Sequence, residues 1–73
     1  MRVKIDLETL TDVKSFVDIA QKHKGNITLC DNEGHVVSGK SFLGVCYSLE
    51  FEEVWCNSEE DIYHEIERWT VDE

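Results

Sequence analysis

The side chains best suited to chemistry in this 73-residue chain are three cysteines and three histidines. Cys30, Cys46 and Cys56 cannot all pair within one chain, and no two of them have the C-x-x-C spacing of a redox or zinc motif. The spacing therefore indicates neither a disulfide framework nor a structural metal. We expect three thiols in or near the core of a protein that resides in a reducing compartment.

The histidines are no better placed for catalysis. His23 falls at the end of a predicted helix, where the dipole disfavours phosphate. His35 lies beside a predicted turn and could join Cys30 in a metal pair, but two ligands do not form a site. His64 could bind a surface metal with the carboxylates that precede it, or simply form an ion pair with them. No set of nucleophile, base and orienting group is visible, so we expect three surface histidines, no enzyme, no cofactor and no metal.

A serine hydroxyl remains, at the start of a predicted short helix. A turn at Gly39 separates the strand that contains Val36 from this helix. Ser41 then occupies the N-cap position, where its hydroxyl can accept hydrogen bonds from the first turn of the helix. Gly44 is costly inside so short a helix, which suggests that another part of the chain approaches its bare backbone. The apolar residues that follow Ser41 have helical spacing: Phe42, Val45, Cys46 and Leu49.

The charge of the chain is uneven and restricts the classes of partner. Residues 1–40 carry six acidic and six basic side chains, whereas residues 41–73 carry ten acidic side chains and only Arg68, which accounts for the net charge of −9. Nucleic acid and anionic membranes are therefore poor partners. The acidic half is either a solvated face or a docking face for a basic partner. We expect a cytoplasmic protein, because no run has membrane-spanning length and the N-terminus lacks a secretory apolar region.

Periodicity predicts seven elements in the order β-α-β-β-α-β-α within one domain over residues 1–73. A capping signal at Thr9 and Asp12 opens the first helix, and one at Ser58 and Asp61 opens the last. The predicted strands lie at 3–7, 27–29, 35–38 and 50–56, the third entered by a hairpin turn at 31–34. The predicted helices span 10–24, a short segment from Ser41, and 59–69.

These elements predict an α+β open-faced sandwich, in which a four-stranded antiparallel sheet carries its three helices on one face. The predicted core consists of the apolar positions that face the sheet or the helices in this arrangement. They are Val3, Ile5, Leu7, Val13, Phe16, Val17, Ala20, Ile27, Leu29, Val36, Leu49, Val54, Ile62 and Ile66.

The segment Lys40-Ser41-Phe42-Leu43-Gly44-Val45 resembles the Lys-Ser-Ile-Met-Gly-Val segment of HPr, the histidine phosphocarrier of the bacterial sugar phosphotransferase system. The span 16–22 followed by Ile27-Thr28-Leu29 is similar to the first helix and second strand of that family, and the element order agrees over about residues 3–69. The resemblance implies the HPr-like sandwich fold. It also implies that Ser41 is a regulatory phosphorylation site and that Phe42, Leu43 and Cys46 contact partner proteins.

The family's phosphorylated histidine lies in a Gly-Leu-His-Ala-Arg-Pro segment that has no counterpart here. The ungapped alignment places Thr9 at the histidine, Thr11 at the arginine and Asp12 at the proline. A threonine hydroxyl is a poor unassisted nucleophile and its phosphate ester is too stable to relay, whereas phosphohistidine is labile. Loss of the arginine removes a phosphate clamp. We therefore interpret Thr9 as a helix cap rather than as a phosphate acceptor.

Three hypotheses follow from the sequence. The first is an HPr-like regulatory or protein-binding module that acts through the Ser41 helix on phosphotransferase-system or catabolite-control proteins, with an HPr kinase as a further partner. The second is a phosphocarrier that uses another residue, such as His35 or His64. The third is an unrelated small α+β domain, which parallel strand pairing or a different strand order would establish.

Overall fold

The structure is a computed structural model that describes residues 1–71. It contains a four-stranded antiparallel sheet and three α-helices, an α+β fold. The elements in chain order are β1 (Arg2–Ile5), α1 (Leu10–Gln21), β2 (Ile27–Cys30), β3 (Val36–Ser38), α2 (Phe42–Ser48), β4 (Val54–Ser58), α3 (Tyr63–Ile66) and a 3₁₀ turn (Glu67–Trp69). Within residues 1–71, no helix has both the length and the apolar character needed to cross a membrane.

The strands lie in the order β1-β4-β2-β3, and every neighbouring pair is antiparallel. The register places Leu29 opposite both Cys56 and Val37, so these side chains share one face of the sheet. The helices pack on this face. The residues between them, including Cys30 and Trp55, point to the opposite face, which α1 and α2 do not cover, while Tyr63 of α3 lines a pocket with Trp55 there.

Helix α1 is the element that the sequence predicts best, because its cap and its apolar stripe agree. Thr9 is the N-cap, with its side chain accepting from the backbone N–H of Asp12 at 3.1 Å. The Asp12 carboxylate accepts from the N–H of Glu8, the residue before the N-cap, at 3.1 Å, which ties the preceding segment to the first turn of the helix. The buried face of α1 consists of Val13, Phe16, Val17 and Ala20. The helix ends at Gln21 rather than at the predicted residue 24, since Lys22 already forms its C-cap.

The core differs from the prediction at its edges. Val36 is 63% exposed and Leu49 is 37% exposed, so both were wrongly placed in the core. Val36 lies on the uncovered face of the edge strand β3, and Leu49 follows the end of α2. Cys56 and Val45 are fully buried instead. The remaining predicted core residues are buried, apart from Val3, which is half-buried against the core.

The predicted last helix is the largest error in the secondary structure. Strand β4 continues through Ser58, whose hydroxyl donates to the carbonyl of Glu60 and accepts from the N–H of the same residue. Ser58 therefore forms a turn and does not cap a helix at residue 59. Helix α3 has only four residues, and its 3₁₀ extension brings Trp69 into the core against Phe16, with ring centroids 5.9 Å apart.

Candidate protein-binding surface and its surroundings

Helix α2 begins directly after the turn that follows β3. Ser41 is its N-cap, and the Ser41 hydroxyl accepts from the N–H of Gly44 at 3.1 Å. The carbonyl of Ser41 accepts the first helical hydrogen bond, from Val45 at 2.9 Å. The N-cap predicted from the sequence is therefore present, directly before Phe42 and Leu43.

Helix α2 buries few of its apolar side chains. Within it only Val45 and Ser48 are buried, and Cys46 is half-buried against the core. Phe42 is 45% exposed and Leu43 is 80% exposed. We refer to Phe42 and Leu43 as the α2 patch. Two adjacent large apolar side chains of this helix are thus exposed within residues 1–71.

The glycine inside α2 explains how the helix approaches the sheet. A Cβ atom at Gly44 would lie 3.2 Å from Cβ of Val37 and 3.3 Å from the carbonyl oxygen of Ser38. These distances are tighter than about nine in ten real Cβ contacts, so a side chain here would require its neighbours to shift by a few tenths of an ångström. Gly44 therefore lets α2 pack directly on β3, which turns the Val45 side of the helix inward and the Leu43 side outward.

The structure does not bring Thr9 and Ser41 together. The side chain of Gln21, at the end of α1, donates to the carbonyl of Lys40 at 3.0 Å, so Ser41 lies near the C-terminal end of α1. Thr9 is at the other end of that helix, about 18 Å away at 1.5 Å per residue. Thr11 is exposed in the first turn. The backbone hydrogen bond from Glu8 is the main cause that lowers the pKa of Asp12, so this end of α1 carries a carboxylate that disfavours phosphate.

His23 joins the end of α1 to the segment after β4. Its Nδ1 lies 3.1 Å from a carboxylate oxygen of Glu60, and its Nε2 contacts Glu65. Glu60 also accepts from the N–H of Gly25 at 3.0 Å, and Lys40 donates to the carbonyl of His23. Hydrogen bonds to Glu60, and then to Glu65, raise the pKa of His23. The bond to His23 is in turn the main cause that lowers the pKa of Glu60.

His35 lies in a pocket that the sequence did not predict. The pocket has a volume of about 270 Å³, and its lining consists of Asp31, Asn32, Glu33, His35, Tyr47, Phe51 and the glutamates at 50, 52 and 53. We call it the acidic aromatic pocket. Asp31 anchors it, with Oδ2 2.7 Å from Nδ1 of His35. Burial acts to raise the pKa of Asp31, but hydrogen bonds from His35 and Glu33 lower it overall. Tyr47 lies in α2 and Phe51 lies beyond the end of that helix, so no helical spacing in the sequence predicted their contact.

The possible metal ligands are arranged differently from the predicted pairs. Within residues 1–71, one group of donors lies close enough to hold an ion: Asp31, Glu33 and His35, with their atoms within 4.8 Å of one another. Cys30 is not part of it, because its sulfur accepts from the side-chain amide of Asn57 at 3.2 Å. The carboxylates considered for His64 are also engaged: Glu60 binds His23, and Asp61 accepts from the N–H of Tyr63 at 3.1 Å.

The thiols occupy the positions expected of structural cysteines. All three are free, with Cys56 buried and Cys30 and Cys46 half-buried. Burial raises the pKa of the Cys56 thiol to about 12, so this thiol stays protonated near neutral pH.

Comparisons of the chain with protein-family models, curated proteins and solved structures found no match. Any function must therefore be argued from the geometry and from the sequence resemblance.

Proposed function

We propose that this chain is an HPr-like protein-binding module that acts through the α2 patch and does not relay phosphate. The observation that carries the proposal is the exposure of Phe42 and Leu43, 45% and 80%, directly after the Ser41 cap. In the HPr family the matching positions contact partner proteins. The element order β-α-β-β-α-β-α and the wholly antiparallel sheet are what the resemblance implies and support the proposal.

The contacts of Thr9 support the part of the proposal that excludes phosphate relay. The Thr9 hydroxyl accepts from the backbone of α1, and Asp12, which occupies the proline position of the family's motif, closes the cap. No basic side chain hydrogen-bonds to Thr9 within residues 1–71 to activate its hydroxyl or to clamp a phosphate. Within residues 1–71, neither His35, held by Asp31 among glutamates, nor His64 has a hydrogen bond or ring contact with a lysine or arginine that could clamp a phosphate.

The same proposal includes regulation of this module by phosphorylation of Ser41. A phosphate of about −2 charge at a helix N-terminus meets unpaired N–H groups, so the fold can accommodate it. The added charge would lie beside Phe42 and Leu43 and would disfavour an apolar contact there. Phosphorylation of Ser41 would thus switch off the α2 patch without unfolding the domain.

Binding to a purified catabolite-control protein, followed by calorimetry, tests the proposed surface. Leu43→Ala should weaken binding about tenfold or more, the value of burying one leucine side chain. Val36→Thr is the matched control, because Val36 is also exposed but points to the opposite face of the sheet. Equal affinity for Leu43→Ala and the parent protein would contradict the proposal.

Two phosphorylation reactions test the other parts. Phosphoenolpyruvate with Enzyme I should leave no acid-labile phosphate on the protein, and a label on His35 or His64 would favour the phosphocarrier hypothesis instead. ATP with an HPr kinase should place one phosphate on Ser41, mapped by mass spectrometry. Ser41→Ala is the control for that site. A folded protein that remains unmodified at Ser41 would leave this residue only its role as a cap.

A further inference from the structure

The acidic aromatic pocket presents aromatic rings and carboxylates to the same cavity. The rings of His35 and Phe51 are stacked, with centroids 5.8 Å apart and planes 27° from parallel. Tyr47 meets Phe51 edge to face at 5.6 Å and His35 at 6.5 Å. These contacts pack the three rings against one another at the edge of the cavity that all three line. The face of an aromatic ring attracts a cation, because its quadrupole is negative there.

The carboxylates of the pocket are not all used by the fold. Asp31 is engaged by His35, and Glu53 accepts from Asn32 and lies 3.4 Å from the ammonium group of Lys4. In contrast, the exposed carboxylates of Glu50 and Glu52 have no hydrogen-bond or ion-pair partner within residues 1–71. The pocket therefore has negative charge that no group in the described chain neutralises.

We propose that the acidic aromatic pocket binds the guanidinium group of an arginine presented by a basic segment of a partner protein. A guanidinium is planar, stacks on aromatic faces and forms paired hydrogen bonds to carboxylates, so it fits rings and acids that line one cavity. A lysine ammonium is a strongly hydrated point charge and uses only part of this arrangement. The inference rests on the proposed function, in which α2 meets a protein partner, and it specifies that partner's chemistry.

The size of the pocket and the charge around it favour one side chain of a protein. A volume of about 270 Å³ lies just under the roughly 300–1,000 Å³ of small-molecule sites. Tyr47, which is 53% exposed, belongs to the same helix as the α2 patch, so one partner can reach both surfaces. The net charge of −9, all of it from residues 41–73, attracts a basic segment and accelerates its association.

Titration of the labelled protein with the peptide acetyl-Ala-Arg-Ala-Arg-Ala-amide, followed by NMR, tests the inference. The amides of His35, Tyr47 and residues 50–53 should shift, and binding should weaken as salt is added. The lysine analogue should bind less tightly, and the neutral citrulline analogue should not bind. The absence of shifts at millimolar peptide, or equal affinity for the arginine and lysine peptides, would overturn the proposal.

Substitutions in the pocket locate the binding groups. Tyr47→Ala should lower the affinity for the arginine peptide about two- to fivefold, because one exposed cation–π contact is lost. Tyr47→Phe keeps the ring and should bind the peptide as the parent does. Glu50→Gln and Glu52→Gln should each weaken it by up to about fivefold. Glu67→Gln, which removes an exposed charge that does not line the pocket, is the matched control. Equal losses in the pocket variants and in Glu67→Gln would show general charge attraction and would overturn the site.

Two other occupants are distinguished by the same measurements. Zn²⁺ alone should shift these resonances no more at the pocket than elsewhere, and tight Zn²⁺ binding that excludes the peptide would replace the inference with a metal site at Asp31, Glu33 and His35. Shifts that depend on protein concentration without peptide would assign the pocket to a second copy of this chain. Sedimentation of the free protein as a monomer is the result expected.

Leu43→Ala separates this inference from the proposed function. The variant should bind the arginine peptide as the parent does, since Leu43 does not line the pocket, but it should bind the catabolite-control protein more weakly. If the arginine peptide did not bind while the affinity for the catabolite-control protein depended on Leu43, only the proposed arginine site would be overturned. If the arginine peptide bound while Leu43→Ala left the affinity for the catabolite-control protein unchanged, only the proposed role of the α2 patch would be overturned.

Discussion

Helices α1 and α2 begin with the same device but serve different purposes. Each has a hydroxyl N-cap that accepts from a backbone N–H three residues ahead at 3.1 Å, Thr9 in α1 and Ser41 in α2. Helix α1 buries four apolar residues against the sheet, whereas α2 buries only Val45 among its large apolar side chains. An amphipathic pattern after a cap therefore predicts a helix in both cases, but only the packing shows which helix supports the core and which one leaves large apolar side chains exposed.

The acidic residues divide in a similar way. The first group, after β4, is used by the fold: Glu59 accepts from the N–H of Asn26, and Glu60 accepts from the N–H of Gly25 and contacts His23. The second group, before β4, leaves Glu50 and Glu52 unpaired within residues 1–71. Net charge alone does not distinguish carboxylates that stabilise the fold from carboxylates that can meet a ligand.

The largest effect that tests the comparison is expected in α1. Phe16 is fully buried and packs edge to face on Trp69, so Phe16→Ala should lower the free energy of unfolding by about 3–5 kcal/mol. Urea denaturation followed by circular dichroism measures this change. A variant that unfolds at the same urea concentration as the parent would mean that α1 is not the structural helix.

The two caps should contribute comparably, because their geometry is the same. Thr9→Ala and Ser41→Ala should each lower the free energy of unfolding by about 0.5–2 kcal/mol. Thr9→Ser and Ser41→Thr keep the hydroxyl and serve as matched controls that should recover most of the loss. If Ser41→Ala were neutral while Thr9→Ala was not, Ser41 would have no structural role in α2.

The pH dependence of stability tests the acidic group that is used by the fold. The pKa of His23 is raised above its ordinary value of 6.5, so its contribution is complete below pH 6.5 and is lost as pH rises through the folded pKa. The pKa of Glu60 is lowered from 4.5, so its contribution is present above pH 4.5 and is lost as pH falls through the folded pKa. The melting temperature should therefore be highest between about pH 4.5 and 6.5.

His23→Gln should remove the decrease in melting temperature on the alkaline side of this window and should also reduce the decrease on the acid side, because the bond to His23 is the main cause that lowers the pKa of Glu60. His64→Gln is the matched control, since His64 is exposed on α3 and has no ion-pair partner within residues 1–71. An unchanged alkaline decrease in His23→Gln would show that the contacts of His23 with Glu60 and Glu65 do not contribute to stability.

The smallest effect on stability is expected in the α2 patch. Leu43 is 80% exposed, so Leu43→Ala should change the free energy of unfolding by less than about 0.5 kcal/mol. The same variant should bind the partner protein more weakly. Urea denaturation beside the binding measurement distinguishes the two properties. A large loss of stability in this variant would remove the contrast between the helices, because Leu43 would then belong to the core.

The sequence by itself determined the α+β class, the element order and both N-caps, since these depend on local periodicity and on hydroxyls at fixed offsets. It also determined most of the core, through alternation in β1 and β2 and the stripe on α1. The prediction of the last helix was wrong because Ser58 and Asp61 suit a turn as well as a helix cap. Only the pairing of β4 with β1 and β2 shows that the strand continues to Ser58.

Tertiary structure alone decided which apolar and charged side chains remain available. Whether Leu43, Val45 or Leu49 is buried depends on the rotation of α2, which the approach of Gly44 to Val37 fixes. The acidic aromatic pocket joins Asp31 and His35 in the hairpin to Tyr47 and Phe51 in a later part of the chain. Such contacts between distant segments follow from how the helix sits on the sheet, and no local pattern in the sequence contains that information.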